Sequence, residues 1–97
     1  MTLLEETLQE LKENNKTELD ILWCGCEGTY FNWEYFKEIA NIEYDNGYGG
    51  AEIHLSLIIV GKNFWLERAE YGGSEWWDFK TYPKKPKTCQ QPETLLS

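Results

Sequence analysis

Histidine is almost missing from this 97-residue chain: His54 is the only one. A serine, cysteine or threonine nucleophile needs a neighbouring base, usually His, so at most one such pair can exist. His54 lies opposite Ile53 and Leu55 in an alternating stretch. A solvent-facing or hydrogen-bonded structural role is expected there, with no named partner for catalysis. Cysteine is scarce too. Cys24, Cys26 and Cys89 make an odd number, and Cys24-Gly25-Cys26 has the spacing of neither a redox CxxC pair nor half a usual zinc site. No catalytic residue, metal or cofactor is therefore assigned, and the chain is expected not to be an enzyme. Long apolar runs are absent. The longest is Leu57-Ile58-Ile59-Val60, far below the ~20 residues of a membrane span, and no signal-type segment opens the sequence. A soluble, reduced, cytoplasmic protein is expected, with thiols that pack rather than pair.

Positive charge is also thin. Seventeen acids face nine Lys and Arg, for a net −8. Residues 1–79 hold sixteen of those acids and only Lys12, Lys16, Lys37, Lys62 and Arg68, so that part carries −11. Such a body repels nucleic acid and anionic membrane and steers basic partners toward itself, while also serving solubility. Lys80–Lys87 reverses the sign locally, with four Lys in eight residues.

What the chain has in quantity is aromatic side chains: five Trp, six Tyr and four Phe. A single domain of this size buries only part of its unfolded surface, and each aromatic removes about 150–250 Å² from water. Thr2-Leu3-Leu4-Glu5 forms a capping box, and Leu4, Leu8 and Leu11 follow on one helical stripe that ends near Asn14-Asn15. Leu19–Cys24 is expected as a short strand closed by Gly25, pairing at either sheet edge. Asn32 caps a second helix, with Phe31 stapled to Phe36 and an apolar face of Trp33, Phe36, Ile39 and Ala40. After the glycine-rich 44–50 connection, Glu52–Val60, Phe64–Tyr71 and Ser74–Tyr82 are expected as three antiparallel strands. Gly72-Gly73 supplies the hairpin turn between the last two. The fold class is α+β: two short helices on a small antiparallel sheet, in the order α-β-α-β-β-β. Residues 1–82 form one domain, and 83–97, with Pro83, Pro86 and Pro92, form a loose tail.

Gly47-Tyr48-Gly49-Gly50 does not suit a phosphate cradle, because a strand follows it and Asp45 and Glu52 flank it. Nor do the aromatics suit a nucleic-acid platform. They alternate with acids, as in Trp65-Leu66-Glu67, Glu70-Tyr71 and Glu75-Trp76-Trp77-Asp78. Two helices can cover one sheet face only, so Trp65, Tyr71, Trp76 and Tyr82 are expected to stay partly exposed. Aromatic anchors with a charged rim are the composition of interface hot spots. The expected partner-binding set is Trp65, Glu67, Glu70, Tyr71, Glu75, Trp76 and Asp78, with Asp45 and Tyr48 from the glycine-rich loop.

Two stretches, Tyr44-Asp45-Asn46-Gly47-Tyr48-Gly49-Gly50-Ala51-Glu52-Ile53 and Trp65–Lys80, resemble a group of small hypothetical proteins of phages and prophages. The resemblance covers residues 44–80, and the LER…EY…SEWW string is its most specific part. The chain departs from the group at the hairpin, with Gly72-Gly73 in place of Asp-Gly. The resemblance implies a phage origin and assigns neither an activity nor site residues. Small acidic phage proteins without enzymatic motifs include inhibitors of host defence such as anti-CRISPR proteins. The expected function is thus a non-enzymatic inhibitor, acting in the host cytoplasm as a monomer or weak dimer. It would block a basic nucleic-acid-binding nuclease such as a CRISPR effector, with Glu67, Glu70, Glu75 and Asp78 standing where phosphates stand. The alternatives are an immunity-type toxin inhibitor, a small phage structural or assembly protein, and a carboxylate-based metal hydrolase.

Overall fold

Helix α1 (Leu3–Glu13) begins at the capping box. Thr2 Oγ1 accepts the Glu5 N–H at 3.0 Å, and Glu5 Oε1 accepts the Thr2 N–H at 3.0 Å. The next orphan donors of the first turn find partners from elsewhere in the chain. Leu3 N–H donates to Ile42 O at 3.1 Å and Leu4 N–H to Ala40 O at 2.9 Å, so the start of α1 is docked on the end of the second helix. The stripe that enters the core is Leu3, Thr7 and Leu11, one position round from Leu4, Leu8 and Leu11; Leu4 and Leu8 pack at its margin. Thr7 tolerates burial because its hydroxyl donates to Leu3 O at 2.7 Å and accepts the Trp77 Nε1–H at 2.9 Å.

The computed structural model describes residues 1–97 as an α+β fold, with two α-helices against one five-stranded antiparallel sheet. A single 3-10 turn, Glu18–Asp20, precedes β1 (Ile21–Cys26), and β2 (Thr29–Phe31) follows through a tight turn. Helix α2 (Trp33–Ile39) is capped by Asn32 Oδ1, which accepts the Tyr35 N–H at 2.8 Å. Then come β3 (Ile58–Gly61), β4 (Phe64–Tyr71) and β5 (Ser74–Thr81), and the spatial order is β2-β1-β3-β4-β5. The C-terminal meander β3-β4-β5 is as expected, and Gly72 and Gly73 turn its hairpin with φ of 61° and 90°.

Four expectations need correction. The first strand is Ile21–Cys26, lies between β2 and β3 rather than at an edge, and carries Gly25 inside it. The additional strand β2 arises because Glu27 and Gly28 adopt φ of 51° and 78°, the positive pair a two-residue hairpin turn needs. The expected strand over Glu52–Val60 begins only at Ile58. Upstream, the Glu52 and Ile53 N–H groups donate to the Glu75 carboxylate instead of to a neighbouring strand. In α2, Ile39 is exposed while Trp33, Phe36 and Ala40 enter the core; Phe31 packs against the core cluster that contains Phe36 and also meets Tyr35 edge-on, ring centroids 5.7 Å apart.

Both helices lie on one face of the sheet, α2 against β1 and α1 against β5. Between them sit Cys24, Ile59, Phe64, Leu66 and Trp77, with Leu57 from the connection, as a continuous apolar core. Burial raises the Cys24 thiol to about 12, so it is an inert packing group. Residues 82–97 have no regular secondary structure and are exposed throughout.

Candidate functional site

Strand alternation assigns the side chains of the other face, and the register puts them into rows. One row runs Tyr30, Gly25, Ile58, Glu67, Asp78 across all five strands. The next runs Trp23, Val60, Trp65, Lys80. Ala69 and Trp76 form a third, nearer the hairpin tip. Gly25 is needed in the first row because the Trp23 ring lies across it: a Cβ there would stand 2.9 Å from Trp23 Cζ3 and 3.1 Å from Ile58 Cγ2. Beyond the second row Tyr82 meets Trp65 edge-on, centroids 5.2 Å apart. Trp23, Ile58, Val60, Trp65 and Tyr82 line a shallow groove of about 230 Å³.

Both helices lie on the opposite face, and beyond the strands Tyr82 packs against Trp65 on this one. Trp23 is 40% exposed and Trp76 39%, while Tyr30 and Tyr82 are largely in solvent. Its charged groups gather at one side. Trp65 Nε1–H donates to Glu67 at 3.3 Å, Trp76 Nε1–H donates to Asp78 at 3.0 Å, and Lys80 Nζ lies 3.7 Å from Glu67. Each carboxylate thus orients an indole two residues away along its own strand. The result is an aromatic sheet surface with an acidic margin.

Eight of the nine residues expected to bind a partner fall into three places. Trp65, Glu67, Trp76 and Asp78 share the open face. Glu70 and Tyr71 stand exposed at the β4–β5 hairpin tip. Asp45 and Tyr48 are exposed beside the same tip, because their loop is pinned there: Glu75 N–H donates to Asn46 O at 2.8 Å and Ser74 Oγ donates to Gly47 O at 3.4 Å. Glu75 is the exception. It is 2% exposed, turned into the core on the side of Trp77, and cannot meet a partner.

Glu75 belongs to a buried polar cluster centred on Arg68, which alternation also points inward from β4. Arg68 Nη2 donates to Glu75 Oε1 at 2.8 Å and to Tyr44 Oη at 3.1 Å, and Nη1 donates to Glu6 at 3.3 Å. The guanidinium lies over the Trp77 ring, 4.7 Å from its centroid. Burial, and then the Glu6 hydrogen bond, push the Tyr44 hydroxyl well above its ordinary value, so it stays neutral. The carboxylate of Glu75 also accepts the Glu52 and Ile53 N–H groups. The cluster therefore fixes the 44–53 connection to the sheet, with Arg68 and Glu75 fully inside and Glu6 and Tyr44 partly exposed at its rim.

A second concavity, about 250 Å³, opens beside α2 and is lined by Phe31, Phe36, Ile53 and Leu57, with Cys26 and His54 at its wall. His54 Nδ1 lies 2.9 Å from Glu27 Oε1, both exposed. The Cys26 thiol meets Ser56 Oγ at 3.6 Å and makes no hydrogen bond to the imidazole. A nucleophile–base pair is not formed there. No group of three or more His, Cys, Asp or Glu is placed to hold a metal ion, and no helix is long and apolar enough to cross a membrane.

Sequence reasoning missed Trp23 and Tyr30, which bring the rings named on this face from three to five. The signal was Glu27-Gly28: a hairpin there aligns β2 with β1 and sends Tyr30 and Trp23 to one side. No protein-family model matches the chain, and no curated protein or solved structure matches it either.

Proposed function

We propose that this chain is a non-enzymatic inhibitor that docks the open face of its sheet onto a basic, nucleic-acid-handling protein and blocks it. The observation that supports this is one sheet face, opposite the helices, holding Trp23, Tyr30, Trp65, Trp76 and Tyr82. Indole and phenol rings carry much of the energy at interface hot spots, and a contiguous aromatic patch is costly to leave in water. Partner choice comes from charge. Residues 1–79 carry −11, and Glu67 and Asp78 edge the rings.

The role given to carboxylates is narrower than mimicry by a row of four. Glu67 and Asp78 flank the indoles, Glu70 stands apart at the hairpin tip, and Glu75 is internal. The rings supply buried area and the two carboxylates meet the partner's Lys or Arg. Within this reading the target class is a host defence nuclease of the CRISPR-effector kind, in keeping with the resemblance of residues 44–80 to phage proteins.

The test is cleavage by a guide-loaded CRISPR effector, titrated with wild type, with W65S/W76S and with E70K, each checked for folding by circular dichroism. Wild type is expected to inhibit stoichiometrically. Each lost hot-spot ring weakens binding by roughly 30-fold, so W65S/W76S should fail to inhibit while E70K stays close to wild type. Inhibition that survives W65S/W76S contradicts the proposal, as does wild type that inhibits no effector of a representative panel.

A further inference from the structure

Strand β5 is an edge of the sheet. Its hairpin with β4 pairs Tyr71 with Ser74 and turns through Gly72-Gly73, so Ser74, Trp76, Asp78 and Lys80 direct their backbone groups to β4. The backbone N–H and C=O of Glu75, Trp77, Phe79 and Thr81 therefore point away from the sheet. Glu75 N–H has a partner there, Asn46 O at 2.8 Å. Those of Trp77, Phe79 and Thr81 have none, and Pro83, which has no N–H, stands just beyond them. What is left is a short free ladder, centred on Phe79 and closed at both ends.

We infer that a second copy of this chain occupies that edge, antiparallel, about a twofold axis through Phe79. In this register Phe79 pairs with Phe79 of the second copy and Trp77 pairs with its Thr81, in both directions. The open donors and acceptors of Trp77, Phe79 and Thr81 match those of the second copy one for one. The side chains match about the same axis. Asp78 falls opposite Lys80 of the second copy, twice, in the closely spaced non-hydrogen-bonded position where cross-strand pairs interact most. Trp76 falls opposite Tyr82 of the second copy, also twice.

This self-complementarity favours a second copy over an unrelated strand. A foreign extended segment could take the hydrogen bonds, but nothing would fix its register. Two five-stranded sheets become one of ten, the edge is removed as an aggregation template, and the two aromatic faces join on one side. The inference rests on the edge geometry and is independent of any inhibitory role.

The test is sedimentation of four proteins over a range of concentrations: wild type, D78K, K80D and D78K/K80D. Wild type should dimerise reversibly. D78K sets Lys against Lys80 of the second copy, and K80D sets Asp against Asp78. Each exchanges two attractive pairs for two repulsive ones, and each should weaken the dimer by roughly tenfold or more. The double variant restores opposite charges and should regain wild-type association. An equimolar mixture of D78K and K80D should also form a heterodimer that neither forms with itself, which no folding defect imitates. Wild type that stays monomeric throughout overturns the inference. So does a dimer indifferent to D78K and K80D, and so does a mixture that fails to associate.

Discussion

The two faces of the sheet are made from the same five strands and similar aromatic content, yet they solve opposite problems. On the helix side Trp33 and Trp77 are 8% and 4% exposed, and the Trp77 indole N–H ends on the Thr7 hydroxyl inside the protein. On the open side Trp65 and Trp76 direct their N–H groups to Glu67 and Asp78, carboxylates that reach solvent. The covered face even takes in a full charge, Arg68, and supplies Glu6, Glu75 and two aromatic rings around it. The open face holds nothing that needs shielding except the rings themselves. Partner groups are spent inside to hold the fold and left at the margin outside, which is the asymmetry expected of a binding surface on a rigid base.

This contrast makes stability and binding separable, and substitutions on either side probe it. The largest effect should come from the covered side. E75Q removes the closer of the two carboxylates paired with buried Arg68, leaving Glu6 alone at 3.3 Å, and weakens the anchor of the 52–53 N–H groups, so an unfolding free energy lower by about 3 kcal/mol is expected in urea titration. Next is T7V, which keeps the shape but strands the Trp77 indole N–H, at a cost of about 1–3 kcal/mol by the same measurement.

A smaller effect should follow from acid. Glu18 accepts the Trp33 indole N–H at 2.7 Å and sits 3.3 Å from Lys37 Nζ; these contacts, the indole first, hold its carboxyl below its ordinary value. A depressed folded value means the contribution is complete above the unfolded carboxylate range and is lost as pH falls through the lowered one. Stability measured against pH should therefore drop across that acidic window, and the drop should be shallower in E18Q. The smallest change belongs to the open side. Y30S should shift stability by about 0.5 kcal/mol or less, since the ring is in solvent. A large loss there would show that the open rings hold the fold, and the contrast would fail.

The fold was legible wherever a local device decides it. Thr2 with Glu5, Asn32, and Gly72-Gly73 each act through a few neighbouring residues, and each appears where the sequence places it. The connection over 51–57 was not legible. Its alternation of Ile53, Leu55 and Leu57 has a strand's period, but its backbone donors are captured by Glu75, twenty-two and twenty-three residues away. Strand β2 is only three residues long and carries little pattern of its own. For the candidate site, parity from Trp77 and Phe79 already turned Glu75 inward, and parity from Phe64 and Leu66 did the same for Arg68. Treating charge as a sign of exposure set that parity aside. A buried ion pair has no local signature, because either partner alone would be expelled.

The most direct measurement follows the five Trp side chains individually, by ¹⁹F NMR of the 5-fluorotryptophan-labelled protein, with a guide-loaded CRISPR effector added. Resonances of Trp23, Trp65 and Trp76 should shift or broaden together, while those of Trp33 and Trp77 stay within the changes seen for the protein alone. Binding that moves Trp33 and Trp77 and leaves the other three in place would contradict the assignment of recognition to the open face.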